Sequence, residues 1–157
     1  MQPTLELGNP TEAIDWITNK LSDLMKLAES ASTLMNVALS QALGPMGTAG
    51  DPEHIVYVAR KIGDVYRNII QWTIDFTAVE VEENLKKIIQ IVSTFSKTLL
   101  EELEGYSVLL QDELPKIITR AESDESEPTN LTLTLSPPPM QIFSAEMKRL
   151  GRIYNVS

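Results

Sequence analysis

The sequence predicts an all-α fold: an elongated antiparallel bundle of three long helices, with an extended strand-like arm and a short C-terminal helix. Three observations predict it. Apolar residues recur at alternating steps of three and four through three long stretches, the spacing that lines one face of a helix. The first of these stretches is closed by a cluster of Gly and Pro, the strongest breakers of regular structure. With 157 residues and 43% hydrophobic content the chain is long enough to bury a sizeable core as one domain.

The division reads as an N-terminal segment over 1–10, a helical bundle over 11–121, an acidic linker over 122–130, and an arm with a C-terminal amphipathic helix over 131–157. The first helix follows Pro10, with Asn9 or Thr11 as its N-cap. From Thr11 to Leu43 there is neither Gly nor Pro, and the seam is Ile14, Ile17, Leu21, Leu24, Ala28, Ala31, Met35, Ala38 and Ala42. Gly44-Pro45 ends it. Residues 44–52 hold three Gly and two Pro and read as a loop.

Pro52 suits the first turn of a second helix, because the missing N–H would be unpaired there in any case. Its seam is Ile55, Val58, Ile62, Val65, Ile69, Trp72 and Phe76. The pattern falters over 77–83, where Thr77-Ala-Val-Glu80 has the spacing of a capping box, so a break is expected. The third helix carries Leu85, Ile88, Val92, Phe95, Leu99, Leu103, Tyr106, Leu110, Leu114 and Ile117. On its outer face Glu82 with Lys86, Glu83 with Lys87, and Asp112 with Lys116 are spaced for i,i+4 pairs. Pro115 is expected to kink or restart this helix, since it lacks a backbone donor and clashes with the carbonyl four residues back.

Residues 121–130, AESDESEPTN, hold four acidic side chains and no basic one, the composition of a solvated linker. Leu131-Thr-Leu-Thr-Leu135 then alternates with period two, as strands do, and Ser136-Pro-Pro-Pro139 follows. A last helix over about 144–154 places Phe143, Met147, Leu150 and Tyr154 on one face.

Aligned at their shared loop, the first two helices leave Ile14, Trp16 and Ile17 overhanging at one end. The third helix passes the loop level near Pro115, so Ile117 and Ile118 overhang at the other. The small residues Ala28, Ala31, Ala38 and Ala42 face the level of Tyr106 and Leu110, where small against large fills the core. The Leu131–Leu135 segment carries backbone donors and acceptors that a helical chain cannot pair, so it needs a partner strand. Trp16, Ile117, Leu131, Leu133 and Leu135 are therefore the candidate partner contacts.

Chemistry is constrained by what is missing. Without Cys there are no disulfides, thiolate metal sites or thiol nucleophiles, and the single His54 leaves no two-His metal site. The loop from Gly44 to Gly50 is not followed by Lys-Ser/Thr nor preceded by a strand, so it reads as a turn rather than a phosphate cradle. Asp124, Glu125 and Glu127 lack the ligand alternation and Gly of a calcium loop. No catalytic residue, cofactor or metal is expected. A net charge of −9 opposes binding to nucleic-acid backbones and to anionic lipid. The N-terminus has neither a basic region nor an apolar stretch of signal type, so a cytoplasmic setting is expected, and Asn130-Leu-Thr132 and Asn155-Val-Ser157 read as chance matches to a glycosylation acceptor. The expectation is a non-catalytic protein-protein interaction or assembly module, with a protein partner or a homo-oligomer formed through helix seams and the C-terminal arm. The alternatives are an acidic inhibitor or immunity-type partner of a basic protein, or a ligand-binding or membrane-active helical bundle.

Overall fold

A computed structural model describes residues 9–43, 52–123 and 135–155, with backbone alone for 37–43, 52–55, 109–111 and 113–123. The fold is all-α. Among the described residues there are four helices, α1 (Pro10–Leu43), α2 (Pro52–Thr77), α3 (Lys86–Ser123) and α4 (Met140–Tyr154), with one 3₁₀ turn, Glu83–Leu85, between α2 and α3. Among the described residues the only β-type pairing is a single bridge residue, Glu80.

Each helix begins where its local chemistry permits. Asn9 caps α1: its Oδ1 accepts the Thr11 N–H at 2.9 Å and its carbonyl accepts the Ala13 N–H at 2.9 Å. Pro10 occupies the first helical position, where its missing donor costs nothing. Thr77 ends α2 rather than starting α3. Its hydroxyl donates back to the Thr73 carbonyl at 2.8 Å, so the side chain is spent on the preceding turn and no capping box forms. The expected break is present, and the chain re-enters helix through the 3₁₀ turn. α3 then runs unbroken through Pro115, against the expectation of a restart. A proline removes a single donor, and the bonds on either side carry the ladder on.

The seams pack as their spacing implies. Ile14, Ile17, Leu21, Leu24, Ala31 and Met35 of α1 are buried with Val58, Ile62, Ile69, Trp72 and Phe76 of α2, and with Ile88, Val92, Phe95, Leu99, Leu103 and Tyr106 of α3. Helix α2 packs extensively against both α1 and α3, whereas α1 and α3 meet less. Long-range bonds set the levels. The Trp72 Nε1–H donates to the Lys20 carbonyl at 2.9 Å, and the Thr73 hydroxyl donates to Ser96 Oγ at 3.1 Å. The Tyr106 hydroxyl donates to the Met35 carbonyl at 3.3 Å, which puts the large ring at the level expected from the small residues of α1.

Two expectations change. Trp16 does not overhang: its ring lies parallel to Phe76 at 5.4 Å, Phe76 stacks in turn on Trp72 at 4.7 Å, and Ile14 and Ile17 are buried. The last turn of α2 reaches one turn further along α1 than the sequence alignment allowed. The ion pairs also differ. Glu83 pairs with Lys86 at 2.8 Å, and Lys87 reaches Glu146 of α4 at 3.6 Å, because Glu82 and Glu83 precede the α-helix and lack its i,i+4 geometry. The Lys116 side chain lies outside the described residues.

Candidate binding cleft between α3 and the C-terminal arm

The arm that leads into α4 is built by its prolines. Three consecutive pyrrolidine rings at 137–139 lock φ and supply no backbone donors, so the segment is stiff and offers only carbonyls. Those carbonyls start the helix: Pro138 accepts the Met140 N–H at 2.8 Å and Pro139 accepts the Phe143 N–H at 2.9 Å. Helix α4 therefore begins at Met140, four residues before the position its apolar periodicity marks. The arm is tied to α3 by Glu102, whose carboxylate accepts the Ser136 N–H at 2.7 Å and the Ser136 hydroxyl.

Beyond the arm, α4 docks through Phe143 and Leu150, both buried in the core, with Met147 and Tyr154 packed beside them. Glu146 lies on the same face and is buried, 4% exposed. Arg149 Nε donates to it at 2.6 Å, and Arg149 also donates to the Asn84 carbonyl at 2.9 Å. The hydrogen bond that Arg149 donates to Glu146 holds the Arg149 pKa above its ordinary value. Burial pushes the Tyr154 phenol up as well, and its Oη is buried without a hydrogen-bond partner among the described residues. The polar part of the contact between α4 and α3 is thus centred on Glu146. This acid is buried, and cations from both helices gather on it.

Between arm and helix lies a cleft of about 360 Å³, lined by Gln90, Ile91, Thr94, Phe95 and Thr98 of α3 on one side and Ser136, Pro137, Pro139 and Ile142 on the other. The α3 residues are spaced to share one helical face. Phe95 is buried, and Ile142 is 59% exposed. No lining side chain is ionisable. The Thr98 hydroxyl is spent on the Thr94 carbonyl and the Ser136 hydroxyl on Glu102, while the Thr94 hydroxyl and the Gln90 amide make no hydrogen bond among the described residues.

Of the candidate contact residues, Leu135 is half-buried against the core at the start of this arm. Trp16 belongs to the Phe76 stack and does not line the cleft. Ile117 lies on α3 with its side chain outside the described residues, and Leu131, Leu133, the loop 44–51 and the acidic residues 124–127 lie outside them altogether, as does the His54 side chain. Sequence reasoning missed the cleft; the available signal was Ser136-Pro-Pro-Pro139 beside an amphipathic helix. Among the described residues no group of three or more His, Cys, Asp or Glu is placed to hold a metal ion, and no helix is long and apolar enough to cross a membrane.

No protein-family model, curated protein or solved structure matches the chain.

Proposed function

We propose that the chain is a non-catalytic protein-interaction or assembly module, an elongated antiparallel bundle whose third helix and C-terminal arm meet a protein partner or a second copy. The supporting observation is the length of α3. The Tyr106 to Met35 bond levels α3 with α1. From there α1 continues for eight residues to Leu43 and α3 for seventeen to Ser123. At a rise of about 1.5 Å per residue, α3 projects roughly 13 Å past the end of α1. That stretch carries Ile117 and Ile118, and apolar residues past the end of a neighbouring helix favour association. Val108, two residues past Tyr106, is already 54% exposed. Leu131 and Leu133 extend the proposed contact along the arm, where the alternating segment would pair by strand addition.

Solution mass by light scattering at several concentrations tests the proposal. The full chain is expected to exceed the mass of one chain, and Ile117→Asp or Val108→Asp, each checked for retained helicity, to bring it back to one. Self-association is overturned by a full chain that stays single at every concentration, or by variants that associate unchanged. A chain ending at Arg120 is a poor comparison, because it removes Phe143 and Leu150 from the core. The net charge of −9 favours a second reading, an acidic partner of a basic protein. An association rate that falls steeply with salt would mark that case.

A further inference from the structure

We infer that the cleft between α3 and the Ser136–Ile142 arm binds a small, uncharged, predominantly apolar molecule, a site separate from the projecting end of α3. Three features carry the inference. The volume of about 360 Å³ lies in the range of small-molecule sites. The lining is apolar on both sides, with Ile91, Phe95, Pro137, Pro139 and Ile142, and includes no ionisable group. A charged ligand entering it would lose hydration with no counter-charge to replace it. Among the described residues two polar groups, the Thr94 hydroxyl and the Gln90 amide, are uncommitted and can bond one neutral oxygen or nitrogen function.

The wall is also preformed. Prolines 137 and 139 cannot collapse into the space by rotating, Glu102 holds Ser136 by two hydrogen bonds, and the buried Phe143 fixes the start of α4. A dent between mobile side chains would close on drying. Here the arm wall is held in place by its proline backbone. Glu102 is thus a positioning residue for the site, since it touches the arm and not the space.

The test uses the full chain and the neutral dye Nile red, followed by its emission shift, with 1-decanol and decanoate as competitors at pH 8. The expected result is saturable binding of one dye per chain, displaced by decanol, with decanoate weaker by about tenfold or more because its carboxylate finds no cation. Thr94→Trp, which fills the space from an exposed helical position, is expected to weaken the dye about tenfold or more, and Glu102→Ala to weaken it severalfold by freeing the arm. Ile142→Asp, at an exposed position on the mouth, is the independent variant should Thr94→Trp lose helicity. Absent or non-saturable dye binding overturns the inference. So does binding unchanged in Thr94→Trp and Ile142→Asp, or displacement by decanoate as readily as by decanol. The dye should bind Val108→Asp as it binds the unsubstituted chain, so loss of assembly and loss of this site are read separately.

Discussion

The Lys87 ammonium of α3 stands 3.6 Å from the Glu146 carboxylate of α4, and the two residues are unequally placed: Lys87 is 66% exposed and Glu146 only 4%. The acid cannot return to water while α4 is docked, whereas both cations beside it can. Removing the acid therefore leaves cations that rehydrate, and removing the cations leaves a buried charge.

This asymmetry orders three variants. Glu146→Ala is expected to cost about 1–3 kcal/mol, from lost hydrogen bonds and lost packing. Glu146→Met, which fills the same space without charge, should cost less, since apolar replacement of a buried ion pair is often neutral or better. Arg149→Met should be the most damaging, because it strands the buried carboxylate with only the distant, mostly solvated Lys87. Urea unfolding followed by circular dichroism checks the order. Glu146→Ala proving worse than Arg149→Met would refute the account.

Alkali should loosen the fold at two tyrosines. Burial raises the phenol pKa of both Tyr106 and Tyr154. A raised value means that the folded state holds the proton more tightly than the unfolded chain, so the stabilisation is whole below the unfolded value of about 10. It is lost as pH climbs from there through the folded value. The melting temperature is expected to hold level from pH 8 to about 10 and then fall. Tyr106→Phe should flatten part of that fall and the double variant with Tyr154→Phe more of it, at the cost in Tyr106→Phe of one long hydrogen bond to Met35. Thermal melts across this range decide it; identical alkaline slopes in all three proteins would contradict the prediction.

The helices were legible because their causes are local. Ile14 to Met35, Val58 to Phe76 and Leu85 to Tyr106 repeat at helical spacing, and every described seam residue is buried or half-buried. The Asn9 cap and the Pro52 start follow from single residues and their neighbours. The misreadings share a different character. Thr77 looked like a cap because its spacing to Glu80 fits one, yet the same hydroxyl can bond backward, and sequence does not choose between the two. Lys87 looked paired with Glu83, four residues away, while its partner Glu146 is 59 residues away and depends on where α4 docks. The cleft was invisible for the same reason: Gln90 to Thr98 and Ser136 to Ile142 meet only after Glu102 has caught the arm.

Two glycines inside helices separate what the single chain needs from what an interface would need. Gly105 lies on α3 one residue before the buried Tyr106, and a Cβ built on it would meet nothing within 4 Å; at Gly63 on α2 the nearest atom would be the Arg67 guanidinium at 3.7 Å, an ordinary contact. Neither residue has a positive φ, so neither backbone requires glycine. A helix-interior glycine costs roughly 0.5–1 kcal/mol relative to alanine, largely through the freedom it has when unfolded. Gly105→Ala and Gly63→Ala are therefore each expected to raise stability by about that amount, and together by about the sum, since they sit on different helices and share no contact. Denaturant midpoints with an unchanged slope would confirm a pure stability gain. A loss of stability in a chain kept monomeric by dilution would show that one of these positions is tighter than its surroundings indicate. If Gly105→Ala instead stabilises the monomer and weakens association, the bare turn beside Val108 is where a second helix comes close.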